Sequence, residues 1–237
     1  MTPLRHALHR LRGFVAARVD TKTKLGLYLT IVLLLGAAAV WIFGAVLDAV
    51  LDNATMVRLD MSLDAAIHNR VTPGGLSFFS AVTHLADPLT NAALAVIGAV
   101  ALWIARHRGT LVTWIAAFAG SAVLNWVLKL AVHRHRPAYG AAYLHGDSFS
   151  FPSGHSMGIV IAVGMLLYVG GLYWHPPRWV RRSCIALGGL VILLIGVSRV
   201  YLGVHYPSDV LGGYAAATGW LAACISADTV ARSRRVR

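Results

Sequence analysis

Six apolar runs limit what this chain can fold into: Leu25–Leu47, Leu89–Ala105, Leu111–Leu128, Ser156–Trp174, Ser183–Ser198 and Val210–Ala227 contain no Asp, Glu, Lys or Arg. Most approach the roughly 20 residues that a helix needs to cross about 30 Å of hydrocarbon. The second and fifth are short, but arginines at or just past their ends can snorkel to the interface. The first follows a basic segment as a signal peptide would, yet it is far longer than the about 7–15 apolar residues of such a peptide, so it reads as an anchor. Composition agrees, with 57% apolar and 13% charged residues, against roughly a quarter charged in soluble proteins. The fold class expected is all-α, a polytopic membrane protein with six transmembrane helices in a bundle. No internal repeat or low-complexity linker divides it. The expected organisation is a basic cytoplasmic segment 1–24, a six-helix domain 25–230 and a basic cytoplasmic tail 231–237.

Orientation follows from the loop charges. With the N-terminus inside, fifteen of the twenty-one Lys and Arg lie on the cytoplasmic side; Arg58, Arg70, Lys129, Arg134, Arg136 and Arg199 lie outside. Both termini are therefore expected in the cytoplasm. The net charge of +12 serves topology and attraction to anionic lipid. Nucleic acid is not an expected partner, because the basic residues cluster between apolar segments instead of forming a stripe with interleaved aromatics. Cys184 and Cys224 lie inside apolar segments and read as packing residues. In the longest loop, roughly Asp48–Pro88, the apolar residues around Met56–Ile67 predict an amphipathic helix on the outer surface.

Ionisable residues at span ends are costly and mark function. Three stretches carry them: Lys129 to Arg136-Pro137, Phe151-Pro152-Ser153-Gly154-His155-Ser156, and Ser198-Arg199 through His205 to Asp209. The topology brings all three to the outer side. Lys129 and Arg136 are seven residues apart, so they share a helical face while the helix lasts and can close on one anion; the alternative is that both snorkel. Arg134, His133 and His135 read as interfacial residues without a role. Ser153 sits where a helix N-cap belongs, Gly154 lets backbone approach a ligand, and the helix start suits phosphate oxygens. His155 goes beyond what a cap requires. His205 stands four residues before Asp209, with Pro207 suited to the first helical turn. A carboxylate holding one imidazole nitrogen leaves the other as a nucleophile or base, although a lone His/Asp pair is more often structural. Phosphoryl transfer needs cations on the equatorial oxygens, an in-line nucleophile and a proton donor, and the three stretches hold that set. No acidic or Cys/His cluster has metal-site spacing, so neither metal nor cofactor is expected.

Lys-x6-Arg-Pro, Pro-Ser-Gly-His and Ser-Arg-x5-His-x3-Asp, in this order, resemble the three signature motifs of the type 2 phosphatidic acid phosphatase (PAP2) superfamily, across Lys129–Asp209. The resemblance implies an integral membrane lipid phosphatase similar to the small bacterial members, in the cell membrane, with its site at the extracytoplasmic face. It implies His205 as a nucleophile forming a phosphohistidine, Asp209 orienting it and His155 as general acid. Lys129, Arg136 and Arg199 would hold the phosphate with Ser153 and Gly154, while Pro137, Pro152 and Ser198 support. Metal independence is also implied. The expected partners are the bilayer and a phospholipid or polyprenyl phosphate substrate, with no obligate protein partner.

A transporter, a haloperoxidase and a lipid phosphotransferase compete with this reading. A transporter would spread its charges through span centres, and a lipid-facing chain has no reason to process halide. Phosphate release with water as sole acceptor separates hydrolase from transferase. The motifs read the phosphate alone, so phosphatidic acid, phosphatidylglycerophosphate, undecaprenyl diphosphate and lipid A phosphates stay open, the second and third being favoured.

Overall fold

The computed structural model describes residues 24–52, 54–143 and 149–235. Among these the chain forms eight α-helices: α1 (Lys24–Asp52), α2 (Ala54–His68), α3 (Pro73–Thr83), α4 (Pro88–Ile104), α5 (Arg108–Val132), α6 (Gly154–Tyr173), α7 (Arg178–Tyr201) and α8 (Pro207–Arg235). Short 3₁₀ turns cover His84–Ala86 and Ala138–Tyr143. Six segments are long and apolar enough to cross a membrane, with α3 and α4 together forming one of them. The protein is an all-helical, multi-pass membrane protein. The basic segment expected over 1–24 lies, apart from Lys24, outside the described residues.

Local chemistry sets the helix ends. Proline opens α4 at Pro88 and α8 at Pro207, where its missing N–H costs nothing. Left-handed residues follow the ends of α4, α5 and α6 at Arg106, His133 and His175, the conformation that stops a helix and turns the chain. The expected shortness of the fifth span disappears, because α7 has 24 residues and begins at Arg178. Its arginines belong to the helix, which reaches about 36 Å at 1.5 Å per residue. Likewise α8 continues to Arg235, through the expected boundary at 230.

The most buried helices are α6 and α8. Met157, Ile161 and Met165 of α6 join Ala217 of α8 and Trp114 of α5 in the main apolar core. Small residues let helices approach: a methyl group on Gly36 of α1 would come within 2.8 Å of Ala222 of α8, the close contact that substitutes for a hydrophobic driving force in lipid. Cys184 and Cys224 are free and half-buried. Away from the motifs, Asp228 accepts from Tyr168 at 2.6 Å and from Arg232 at 2.7 Å, and Arg232 also reaches Tyr173 at 3.0 Å and Thr110. This polar group ties α5, α6 and α8 together at the end opposite the motifs.

The amphipathic helix expected near Met56–Ile67 is present as α2. Asp60 and Asp64 are buried, while Leu59, Met61 and Leu63 are exposed. Its acids face protein because basic and hydroxyl partners wait there.

Candidate active site

His205 opens the cluster of motif residues. Gly203, at φ +66°, lets the chain leave α7 and turn back, and the His205 and Val204 N–H groups both donate to the Arg199 carbonyl. The turn is tightly covered: a methyl group on Gly203 would meet His68 at 2.6 Å and Tyr139 at 2.9 Å. His205 and Asp209 are almost fully buried. The Nδ1 of His205 lies 3.4 Å from Asp209 Oδ2, and its Nε2 lies 3.2 Å from Arg136 Nη1. A guanidinium only donates, so Nε2 carries the lone pair and the proton sits on Nδ1, facing the carboxylate. Burial pushes His205 down to about 3 even though Asp209 pulls the other way.

The start of α6 is stitched to the start of α8. Ser153 caps α6 as expected: its hydroxyl oxygen accepts from the Ser156 N–H at 3.4 Å and the Ser156 hydroxyl at 3.0 Å. Its own N–H donates to the Asp209 carbonyl at 3.0 Å. Pro152 is buried and its carbonyl accepts from Asn125 Nδ2 at 3.2 Å. A methyl group on Gly154 would lie 3.2 Å from the same Asn125. Ser198 uses its hydroxyl within its own helix, on the Ile195 carbonyl at 2.6 Å.

The cations come from three places. Lys129 ends α5 and donates to the Phe149 carbonyl. The shared helical face expected for Lys129 and Arg136 does not exist, since α5 stops at Val132 and His133 turns left-handed. Arg136 arrives instead on the loop ahead of the buried Pro137, donating to the Val204 carbonyl at 2.8 Å. Burial lowers the Arg136 pKa, against the pull of Asp209. Arg199 is buried near the end of α7; Nη1 donates to Thr83 at 2.8 Å and Nε has no hydrogen-bond partner. A buried unpaired donor is costly, and an anion's oxygen would relieve it.

Four further acidic and basic groups, His84, Asp87, Asp60 and Arg134, join the cluster outside the motif positions. His155, the first full turn of α6, places Nε2 at 2.9 Å from Asp87 Oδ1, and His84 holds the other oxygen at 2.6 Å. Arg134, expected to be an idle interfacial residue, is instead half-buried and held between Asp209 and Asp60, at 2.6 and 2.7 Å. Its neighbours explain the correction, because two carboxylates need a fork of donors at one point. The only hint in the sequence was scarcity: all nine acidic residues are Asp, and Asp60, Asp64 and Asp87 stand among apolar neighbours.

The sequence pattern of the PAP2 superfamily matches residues 110–233, just over half of the chain. The chain belongs to the PAP2 superfamily. Phosphatidylglycerophosphatase B of Bacillus subtilis is 30% identical over 178 residues, covering 74% of this chain and 86% of that protein. A decaprenylphosphoryl-5-phosphoribose phosphatase of Mycobacterium tuberculosis is 31% identical over 163 residues, covering 67% and 82%. The crystal structure of a transmembrane PAP2-type phosphatidylglycerolphosphate phosphatase from Bacillus subtilis shares the fold, with a TM-score of 0.74, 24% identity and coverage of 85% of this chain and 97% of that one. The protein is thus a membrane phosphatase of PAP2 type, and its three PAP2 motifs meet at one end of the bundle.

Proposed function

We propose that this protein hydrolyses the terminal phosphate of an anionic lipid through a phosphohistidine intermediate at the extracytoplasmic face. One observation carries the reading: the buried His205 keeps Nδ1 toward Asp209 and Nε2 beside Arg136. That tautomer presents a lone pair where a phosphate held by Lys129, Arg136, Arg199 and the capped start of α6 would sit. In the first step His205 Nε2 forms a bond to phosphorus as the bond to the lipid oxygen breaks, and His155 gives that oxygen a proton. Asp87 stabilises the imidazolium that does so. In the second step water attacks phosphorus, the bond to Nε2 breaks, and His155 takes the proton from the water. The protons balance over the cycle, and side-chain cations offset the negative charge of the transferring group.

The names of the relatives make phosphatidylglycerophosphate the first substrate to test, with undecaprenyl diphosphate, phosphatidic acid and lipid A phosphates beside it. Phosphate release in detergent with water as sole acceptor tests hydrolysis. Rapid quenching during turnover tests the intermediate: phosphohistidine is acid-labile and survives alkali, and His205→Ala should abolish both it and turnover. Ser153→Ala should keep a measurable fraction, since losing one oxyanion-type donor costs on the order of 3 kcal/mol. An acid-stable phosphoenzyme that vanishes in Ser153→Ala would replace histidine with serine as the nucleophile.

A further inference from the structure

Four cations gather at this end of the bundle, yet Arg134 is committed to protein partners. Its Nη1 donates to Asp209 Oδ1 at 2.6 Å and to the Ser208 hydroxyl at 2.7 Å, and its Nη2 donates to Asp60 Oδ2 at 2.7 Å. Asp60, from α2, also accepts the Ser208 N–H at 3.2 Å and the Ser208 hydroxyl. The guanidinium carbon lies 4.4 Å from the centre of the Tyr206 ring. Burial works against the charge, but Asp209 and then Asp60 outweigh it and raise the Arg134 pKa. The far oxygen of Asp209 is the one that meets His205 Nδ1, and it also accepts the Tyr206 N–H at 2.9 Å.

Building on the histidine-nucleophile reading, we propose that Arg134 and Asp60 are positioning residues for His205. Asp60 holds Arg134, Arg134 holds one oxygen of Asp209, and the other oxygen keeps the Nδ1 proton of the nucleophile in place. Geometry and charge both require the chain of contacts. A carboxylate torsion is soft, and the contact to His205 is already 3.4 Å long, so a small rotation of Asp209 would break it. The planar fork of an arginine fixes that rotation where a lysine cannot. Positive charge also develops on the imidazole as Nε2 attacks phosphorus, and Asp209 must offset it. With Arg134 as its sole close partner Asp209 would be neutralised; Asp60 restores one net negative charge to the group. The second carboxylate thus keeps the first one effective.

Full-length protein in detergent, quenched during single turnover of a radiolabelled lipid phosphate, gives the test. His205→Ala comes first, because an undiminished acid-labile phosphoenzyme there would overturn the nucleophile reading itself. Given its loss, Arg134→Gln and Asp60→Asn should each slow phosphoenzyme formation by about 10- to 100-fold, the usual scale for residues supporting a reactive group. The inhibition constant of inorganic phosphate should stay unchanged, and Arg134→Lys should recover part of the rate. The double variant should be no slower than the slower single one, since both act through the same contact. A weakened phosphate constant with an unchanged formation rate would make Arg134 a phosphate ligand and overturn the proposal. So would additive losses in the double variant. Should Arg134→Gln not fold, Arg134→Lys with Asp60→Asn supports the same comparison.

Discussion

His155 and Asp87 meet at 2.9 Å although 68 positions separate them in the chain. The contact gives the second histidine of the site its own carboxylate, just as Asp209 serves His205. The two pairs differ in how they are built. His205 and Asp209 are four residues apart in the chain and are sealed from solvent, whereas His155 belongs to α6, Asp87 stands just ahead of α4, and the pair stays partly open. Thr83 and Asp87 lie four residues apart, on either side of the His84–Ala86 turn. One short segment therefore holds both Arg199 and His155.

If Asp87 stabilises the acid form of His155, Asp87→Asn should slow turnover of an alkyl phosphate by about 100-fold, the lower end of what general acids contribute. The same substitution should cost much less on nitrophenyl phosphate, whose leaving group needs no proton. Comparing kcat for the two substrates in the wild type and the variant checks this. Equal losses on both would assign Asp87 to folding alone.

The pH profile follows from His205. Burial depresses its pKa to about 3, below the ordinary value of about 6.5, so the proposed nucleophile stays unprotonated throughout the physiological range. The acid limb of kcat/KM should then track the ionisation of the substrate phosphate and move between an alkyl and a nitrophenyl phosphate. A limb fixed near pH 6.5 for both would show an ordinary imidazole. The sign for stability is also set: the unfolded chain binds a proton that the folded one refuses, so acidification through and below about pH 6.5 should progressively lower the unfolding temperature.

Gly213 joins α8 to the start of α6. A methyl group there would stand 2.8 Å from the Ser153 carbonyl and 3.0 Å from Ser156 Cβ. Gly213→Ala should destabilise by about 1–3 kcal/mol, the usual cost of overpacking, and should lower activity by moving the capped helix start. Gly171→Ala is the control, because nothing lies within 4 Å of its added carbon. Thermal inactivation in detergent compares them, and matching behaviour would mean that the helices part freely.

The loop charges predict which end faces out. After replacement of Cys184 and Cys224, an impermeant thiol reagent on whole cells should label a cysteine at the exposed Tyr139 and spare one at Arg108. The reverse pattern would put the site on the cytoplasmic face.

Side chains supply the cations in the proposed chemistry, so EDTA should leave activity nearly intact. Vanadate, which adopts the five-coordinate shape of the transition state, should inhibit. Activity lost in EDTA and regained with magnesium would require a metal site.

Much of this was legible in the sequence because the responsible residues are close together in it. His205 and Asp209 stand four residues apart across the start of α8, and Pro152 to His155 spell a capped helix start. The six spans announced themselves through uninterrupted apolar runs. Asp60, Arg134 and Asp87 were not legible as site residues, since each owes its role to a partner more than 65 positions away. Hydrophobic periodicity placed α2, but that signal treats acids as water-seeking and cannot register a waiting guanidinium, so the burial of Asp60 had no trace in the pattern. The helical link between Lys129 and Arg136 failed for a local reason: the left-handed His133 breaks the helix between them.

The polar ties at both ends of α8 have a mechanical consequence. At one end Asp209 is bound to Arg134 and to the Ser153 N–H; 19 residues on, about 28 Å along the axis at 1.5 Å per residue, Asp228 and Arg232 are bound to Tyr168, Tyr173 and Thr110. A rod fastened at both ends to the same two neighbours can neither piston nor spin. Helices α5, α6 and α8 are therefore braced against one another at both ends, as a single beam.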